Sequence, residues 1–250
     1  MSARLQLTLY TDKQFRYITP PLQPKVEHLE GSSSLLSSTA FHMLAQPEVL
    51  ELQIKELWSR RSQHGIEQGA IIVWEPAPPH CTVFNHDAHV QACKHVDVFS
   101  PNHIELASLF EQDHKTIGTM DRAKIEGYAR RFQEASSIDS VNGAKIVVRA
   151  GEYGCLVMSG AEGTFWLPPF HNSASPKFVD PTGAGNTFLG AFTIVFQHTS
   201  SLRESAICGS VAASFALEQI GLPVLTSSGG TDRWNGVDFS DRLAEYRRRL

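Results

Sequence analysis

The stretch Asp180-Pro-Thr-Gly-Ala-Gly-Asn-Thr-Phe-Leu-Gly-Ala-Phe192 governs how the rest of the chain is read. Phe178 and Val179 suggest a short apolar strand running into Gly183-Ala184-Gly185, and an apolar helical pattern through Gln197 follows at once. The first N–H groups of a helix have no internal acceptor and point outward. The helix dipole places partial positive charge at the same end, so the turn suits an anion such as a transferring phosphoryl group. Glycines let the backbone approach a ligand without a Cβ in the way. A tight strand-to-helix turn with no ligand has the same spacing, and spacing alone does not separate the two.

Working outward, Leu202 to Ile220 predicts a second packed helix. Upstream, Ala70 to Trp74, Val96 to Phe99, Lys145 to Val148, Cys155 to Met158 and Thr164 to Leu167 read as strands. The run Ala70-Ile-Ile-Val-Trp74 is apolar throughout, as in a strand covered on both faces. Helical patterns lie between: from Pro47 to a stop at Gly65, from about Asp87 to Lys94, from Pro101-Asn102 through Leu109, and from Lys124 to Phe132. This alternation predicts an α/β domain, a mainly parallel sheet between two helical layers. At the front, Arg4 to Tyr10 and Gln14 to Ile18 predict a small hairpin turning at Thr11-Asp12-Lys13, and Gly31 to Ser38 reads as loop. We expect a hairpin over residues 1–22 and one domain over 23–250.

Composition narrows the function classes. The chain has 250 residues and a net charge of -4, which lacks the basic excess of a nucleic-acid binder. Its dense basic run, Arg247 to Arg249, reads as a solvated helix end. No apolar run is long enough for a membrane span, and Met1 to Tyr10 carries neither a long apolar core nor a cleavage site. The four cysteines show no C-x-x-C, as free thiols in a reducing compartment would, so a cytosolic protein is expected. His86 and His89, with His80, Cys81, Cys93 and His95 nearby, form no complete metal-site pattern. No G-x-S-x-G elbow supports a serine hydrolase.

Several motifs, in order, resemble the PfkB family of ribokinase-like carbohydrate kinases. The stretch at Asp180 resembles that family's Asp-Thr-x-Gly-Ala-Gly-Asp signature. Val96 to Glu105 resembles its Asn-x-x-Glu segment, and Val147 to Gly154 the strand and Gly segment beside the nucleotide. Ala212 to Gly221 resembles the helix over the adenine site. The phrases Val73-Trp-Glu-Pro, Ser100-Pro-Asn-His, Gln219-Ile-Gly-Leu-Pro223 and Trp234-Asn-Gly236 look most like a fungal branch. The resemblance covers roughly Ala70 to Gly221. It implies a ribokinase-like three-layer α/β/α sandwich, with ATP over Arg149, Gly151, Gly154, Thr182 and Ala212. Gly183, Ala184 and Gly185 would hold the transferring phosphoryl group, and Asn102 and Glu105, one helical turn apart, would organise Mg²⁺. An N-cap Asn beside a surface Glu is the alternative for that pair; Asp180 would steer metal or, alternatively, brace the loop. Arg149 could instead form an ion pair at a strand end.

Two departures shape the functional expectation. Asn186 stands where the family keeps the catalytic Asp, and an amide can position a hydroxyl without accepting its proton. Losing a general base lowers rates by about 10²–10⁴-fold. The front of the chain also lacks the family's acidic sugar contact and Gly-Gly segment. Residues 1–22 resemble the tail of the lid region, with the first strands reduced or missing, and whether this is a fragment or a reduced protein stays open. Missing strands would expose a sheet edge and invite self-pairing into an oligomer. Two functions follow: an ATP-dependent kinase acting on a sugar or other small hydroxyl compound, or a nucleotide-binding scaffold without turnover.

Overall fold

The computed structural model describes residues 24–113, 120–137 and 144–250, together with two short strands, Leu5–Leu7 (β1) and Phe15–Tyr17 (β2). These two pair antiparallel, Leu5 opposite Tyr17, as the hairpin expectation requires; the turn at Thr11 to Lys13 lies outside the described residues.

The main sheet has six strands in the order β3-β4-β5-β6-β7-β8. They are Ala40–Ala45 (β3), Ile71–Pro76 (β4), Val98–Phe99 (β5), Ile146–Arg149 (β6), Cys155–Ser159 (β7) and Gly163–Leu167 (β8). The first four run parallel, and β7 and β8 are antiparallel additions. A short helix, Ser33–Leu36 (α1), precedes the sheet, and Pro47–Gln63 (α2) connects β3 to β4. His86–Ala92 (α3) connects β4 to β5, and His103–Ser108 (α4) and Arg122–Ser136 (α5) lie between β5 and β6. Ala184–Thr199 (α6) and Leu202–Ala216 (α7) follow β8. The chain ends with a small antiparallel sheet of Leu225–Ser228 (β9), Thr231–Trp234 (β10) and Val237–Asp238 (β11), then Phe239–Arg247 (α8).

Strand periodicity sorts the core into two faces. Ile72, Trp74, Ile146, Val148, Leu156 and Met158 pack with Leu50, Ile54 and Leu57 of α2 and Ile125 and Phe132 of α5. Val73, Val98, Val147, Cys155 and Val157 pack on the other face with Phe188, Leu189 and Phe192 of α6, Val211 of α7 and Tyr246 of α8. Each large apolar side chain enclosed this way contributes about 1.5–3 kcal/mol. The result is the predicted three-layer sandwich. α6 and α7 pack closely at Gly209, where an added Cβ would lie 2.9 Å from the Phe188 ring.

Several boundaries differ from the expectation. Phe178 and Val179 are not a strand: Val179 is 52% exposed, and the amides of Val179 and Asp180 donate to the Leu217 carbonyl at 2.8 and 3.2 Å. The segment is therefore fastened to the end of α7 rather than to a sheet neighbour. The first strand of the parallel sheet is β3, which the sequence reading passed over. The stretch read as loop, Gly31 to Ser38, carries α1, and a 3-10 turn, Val26–Gly31, leads into it. The helix expected to reach Ile220 stops at Ala216, and the small C-terminal sheet was not foreseen. A charged hub holds this end together. Buried Arg242 bonds Glu218 at 2.9 Å and lies 3.7 Å above the Phe215 ring, while His171 meets the same carboxylate at 3.0 Å.

Gly154 joins β6 to β7 with φ +93°, and an added Cβ would lie 2.0 Å from the Leu167 carbonyl oxygen. Gly163, with φ +74°, has open space around it. Gly154→Ala should therefore destabilise the domain by at least about 3 kcal/mol and Gly163→Ala by about 1–2 kcal/mol. Urea unfolding of both variants measures the difference, and equal losses would contradict the packing described.

Candidate phosphate and nucleotide site

The helix α6 begins at Gly183, whose φ of +84° places the cap in the left-handed region that glycine adopts without strain. Before it, the Thr182 amide donates to Asp180 Oδ1 at 2.9 Å, and this bond holds the Asp180 carboxyl below its ordinary range. Asp180 therefore braces the turn. The Ala184 amide donates to the Pro181 carbonyl and the Thr187 amide to the Gly183 carbonyl. Gly185 and Asn186 are left to supply the outward amides of the first turn. Of the three residues expected to cradle a phosphoryl group, Ala184 has its amide committed within the turn, and Asn186 joins the donors through its backbone. The Asn186 side chain is exposed beside them.

Arg149, at the end of β6, reaches under this turn. Its Nη1 lies 2.6 Å from where a Cβ on Gly185 would be, so the absence of a side chain there makes room for the guanidinium. Nη2 donates to the Ser100 carbonyl at 3.0 Å, meets Glu75 Oε1 at 2.8 Å and lies 3.6 Å from Glu105 Oε2. Arg149 thus makes the ion pair that the sequence left as one of two roles, while Nη1 still faces the turn. Glu75 meets His42 Nε2 through its other oxygen at 3.0 Å. Burial opposes ionisation of Glu75, but the His42 hydrogen bond and the Arg149 charge outweigh it, and the carboxyl lies below its ordinary range.

Asn102 and Glu105 form a reciprocal cap at the start of α4. The Glu105 amide donates to Asn102 Oδ1 at 2.8 Å, while the Asn102 amide and Nδ2 donate to the two Glu105 oxygens at 2.7 and 2.6 Å. Glu105 is buried rather than on the surface, and burial pushes its carboxyl up to about 7 despite the nearby Arg149. Both oxygens already accept hydrogen bonds and a guanidinium lies alongside. The pair does not fit a direct Mg²⁺ ligand set, which needs unencumbered oxygens in octahedral array. The N-cap of the capping alternative is present, with a buried rather than a surface Glu, and organisation of Mg²⁺-bound water or phosphate by the pair remains part of the proposal below.

The remaining expected residues lie around this centre. Gly151 is exposed in the β6–β7 connection, 3.7 Å (from its would-be Cβ) from His103 Cε1, and Gly154 serves the packing described above. Ala212 is half-buried on α7, the helix whose end holds the Val179-Asp180 segment. Among the described residues no group of three or more His, Cys, Asp or Glu side chains is disposed to hold a metal. His89 is a core residue stacked on Trp74 at 5.4 Å, with Nδ1 2.7 Å from the Asn85 carbonyl. The sequence reading missed Glu75 and His42. The available signal was an acidic residue closing the apolar run Ile71-Ile-Val-Trp-Glu75, where burial demands a partner.

Residues 11–225 match the pfkB family of carbohydrate kinases. The chain belongs to this family. Relatives include an uncharacterized Schizosaccharomyces pombe protein, 30% identical over 93% of this chain and 65% of its own length. Protein MAK32 of Saccharomyces cerevisiae is 29% identical over 94% of this chain and 64% of its own. The chain thus spans just under two thirds of these relatives. Ribokinase from Thermotoga maritima superposes with a TM-score of 0.57 at 19% identity, covering 98% of this chain and 69% of that one. Ribokinase from Cryptococcus neoformans, solved with ADP, gives 0.57 at 18% identity over 99% and 71%. The fold is therefore ribokinase-like, and the fungal resemblance read from short phrases agrees with the first two relatives. No helix among the described residues is long and apolar enough to cross a membrane.

Glu105 supplies a pH prediction. Its folded pKa of about 7 lies above the ordinary 4.5, so the fold binds this proton more tightly than the unfolded chain does. That contribution to stability is fully present below about pH 4.5 and is lost as pH rises through about 7. Wild-type unfolding free energy in urea should fall between pH 5.5 and 8, and Glu105→Gln should show a shallower fall. Parallel pH dependences in the two proteins would show that Glu105 is not the group responsible.

Proposed function

We propose that this chain binds ATP and serves as a PfkB-type phosphotransferase toward a sugar or other small hydroxyl compound. The observation that carries this reading is the first turn of α6, where the free amides of Gly185 and Asn186 adjoin the guanidinium of Arg149. Backbone donors, a helix dipole and a planar cation together match the oxygens of a phosphoryl group. The nucleotide would lie along Thr182, Gly151 and Ala212, with Mg²⁺ arriving as the counter-ion of the ATP phosphates and Asn102 and Glu105 organising its bound water or the phosphate. An Arabidopsis thaliana ribokinase of the same fold is solved with ribose and ATP, at a TM-score of 0.54 and 18% identity, which supports nucleotide use by analogy of fold.

Asn186 favours a second reading, a nucleotide-binding protein of kinase descent without turnover. In the first, the amide positions the acceptor hydroxyl and another group or water takes its proton. In the second, phosphate binding persists because it needs only backbone donors and Arg149. The hairpin of β1 and β2 would serve as a remnant of a lid, and the location would be cytoplasmic. Self-association and the acceptor belong to the same proposal, with no role for nucleic acid or membrane.

ATP with Mg²⁺ should raise the melting temperature, since ligand at about 100 times its Kd adds roughly 2.7 kcal/mol. Asn186→Asp should raise phosphoryl transfer or ATP hydrolysis by about 10²-fold or more if proton acceptance is the missing step. Comparable turnover in both proteins favours the kinase reading. Nucleotide stabilisation with turnover appearing only in the Asp variant favours the binder. Absence of stabilisation by any nucleotide would remove both.

A further inference from the structure

His42 and Glu75 have no part in the roles assigned so far. His42 on β3 pairs in register with Val73 of β4, and Glu75 lies two residues beyond Val73. Val73 and Val147 pack against α6, so His42, Glu75 and Arg149 project from that face toward the C-terminal ends of their parallel strands. Ligands of open α/β sheets gather at this edge.

The contacts form a chain. His42 Nε2 holds Glu75 Oε2 at 3.0 Å, Glu75 Oε1 holds Arg149 Nη2 at 2.8 Å, and Arg149 Nη1 lies against Gly185. A carboxylate with both oxygens free prefers to clasp a guanidinium through two parallel bonds. Such a clasp would engage Nε, which is buried without a hydrogen-bond partner, and draw the guanidinium, Nη1 included, toward Glu75. His42 occupies one oxygen and keeps the pairing on Nη2 alone. The Ser100 carbonyl, 3.0 Å from Nη2, supports the same orientation.

We propose that His42, acting through Glu75, is a positioning residue that keeps Arg149 Nη1 turned toward the first turn of α6, where it meets the oxygens of a bound phosphate. This rests on the proposal that the turn takes phosphate. The nucleobase and nucleoside contacts do not depend on it, so its signature is a loss confined to phosphate-bearing ligands.

The test is calorimetric titration of the chain with ADP and with adenosine, folding being checked by circular dichroism. His42→Leu should weaken ADP by about 3- to 10-fold, the loss of a modest oriented interaction, and leave adenosine unchanged. His42→Gln, whose amide can donate from a similar position, should stay within about twofold of wild type. His42→Leu added to Glu75→Gln should weaken ADP no further than Glu75→Gln alone, because the two act in series. The inference is overturned if His42→Leu leaves ADP affinity intact while Arg149→Met loses about tenfold. Equal losses in the Leu and Gln variants, a parallel loss of adenosine, or full additivity with Glu75→Gln would also overturn it. No ADP binding by the wild-type chain would instead remove the phosphate site itself, and this role with it.

Discussion

A guanidinium held in a nearly closed space must find partners for its charge or be expelled, because burying an unpaired ion costs several kcal/mol. Arg149, with a side chain 12% exposed, solves this with Glu75, the Ser100 carbonyl and the nearby Glu105. Each partner comes from a different strand end or the helix after it, so the ion pairs also fix how β4, β5, β6 and α4 meet. The same residue dictates the bare backbone at Gly185, since a Cβ there would collide with Nη1. Sheet edge, helix start and charge balance are consequently one constraint. A phosphate bound at α6 would complete it by adding negative charge on the side of the guanidinium that faces the turn.

That arrangement separates binding from proton transfer. In the proposed site, backbone amides and Arg149 would recognise charge and geometry, and neither depends on the side chain at position 186. A neutral amide at that position would leave those recognition elements in place and remove the basic group expected beside an acceptor hydroxyl. Membership in the pfkB family therefore accounts for the architecture, while the chemistry proposed for the turn before α6 hinges on a residue type that departs from the family signature. Glu105 shows a related economy of role: its reciprocal cap with Asn102 organises α4 and contributes to the electrostatics around Arg149.

Much of the fold was legible along the chain. The apolar run before Glu75, the helical pattern after Pro47 and the glycine turn before α6 are local signals, set by side-chain period and backbone stereochemistry. The strand β3 was hidden because Ala40-Phe-His-Met-Leu-Ala45 sits at a sheet edge, where pairing on one side alone imposes little pattern. Phe178 and Val179 misled for the opposite reason. They are apolar and β-prone, yet the Leu217 carbonyl captures the amides of Val179 and Asp180.

The sequence by itself determined the three-layer α/β class, the glycine cap of α6 and the amide at position 186, because these follow from residue type and spacing within a few turns of chain. Only the tertiary structure decided that Arg149, Glu75 and His42 form one charged chain under that cap, and that Asn102 and Glu105 satisfy each other. His42, Glu75 and Arg149 lie tens to more than a hundred residues apart along the chain, whereas Asn102 and Glu105 are near neighbours whose roles the sequence left open. Which contacts win depends on burial, and burial exists only once the strands are side by side.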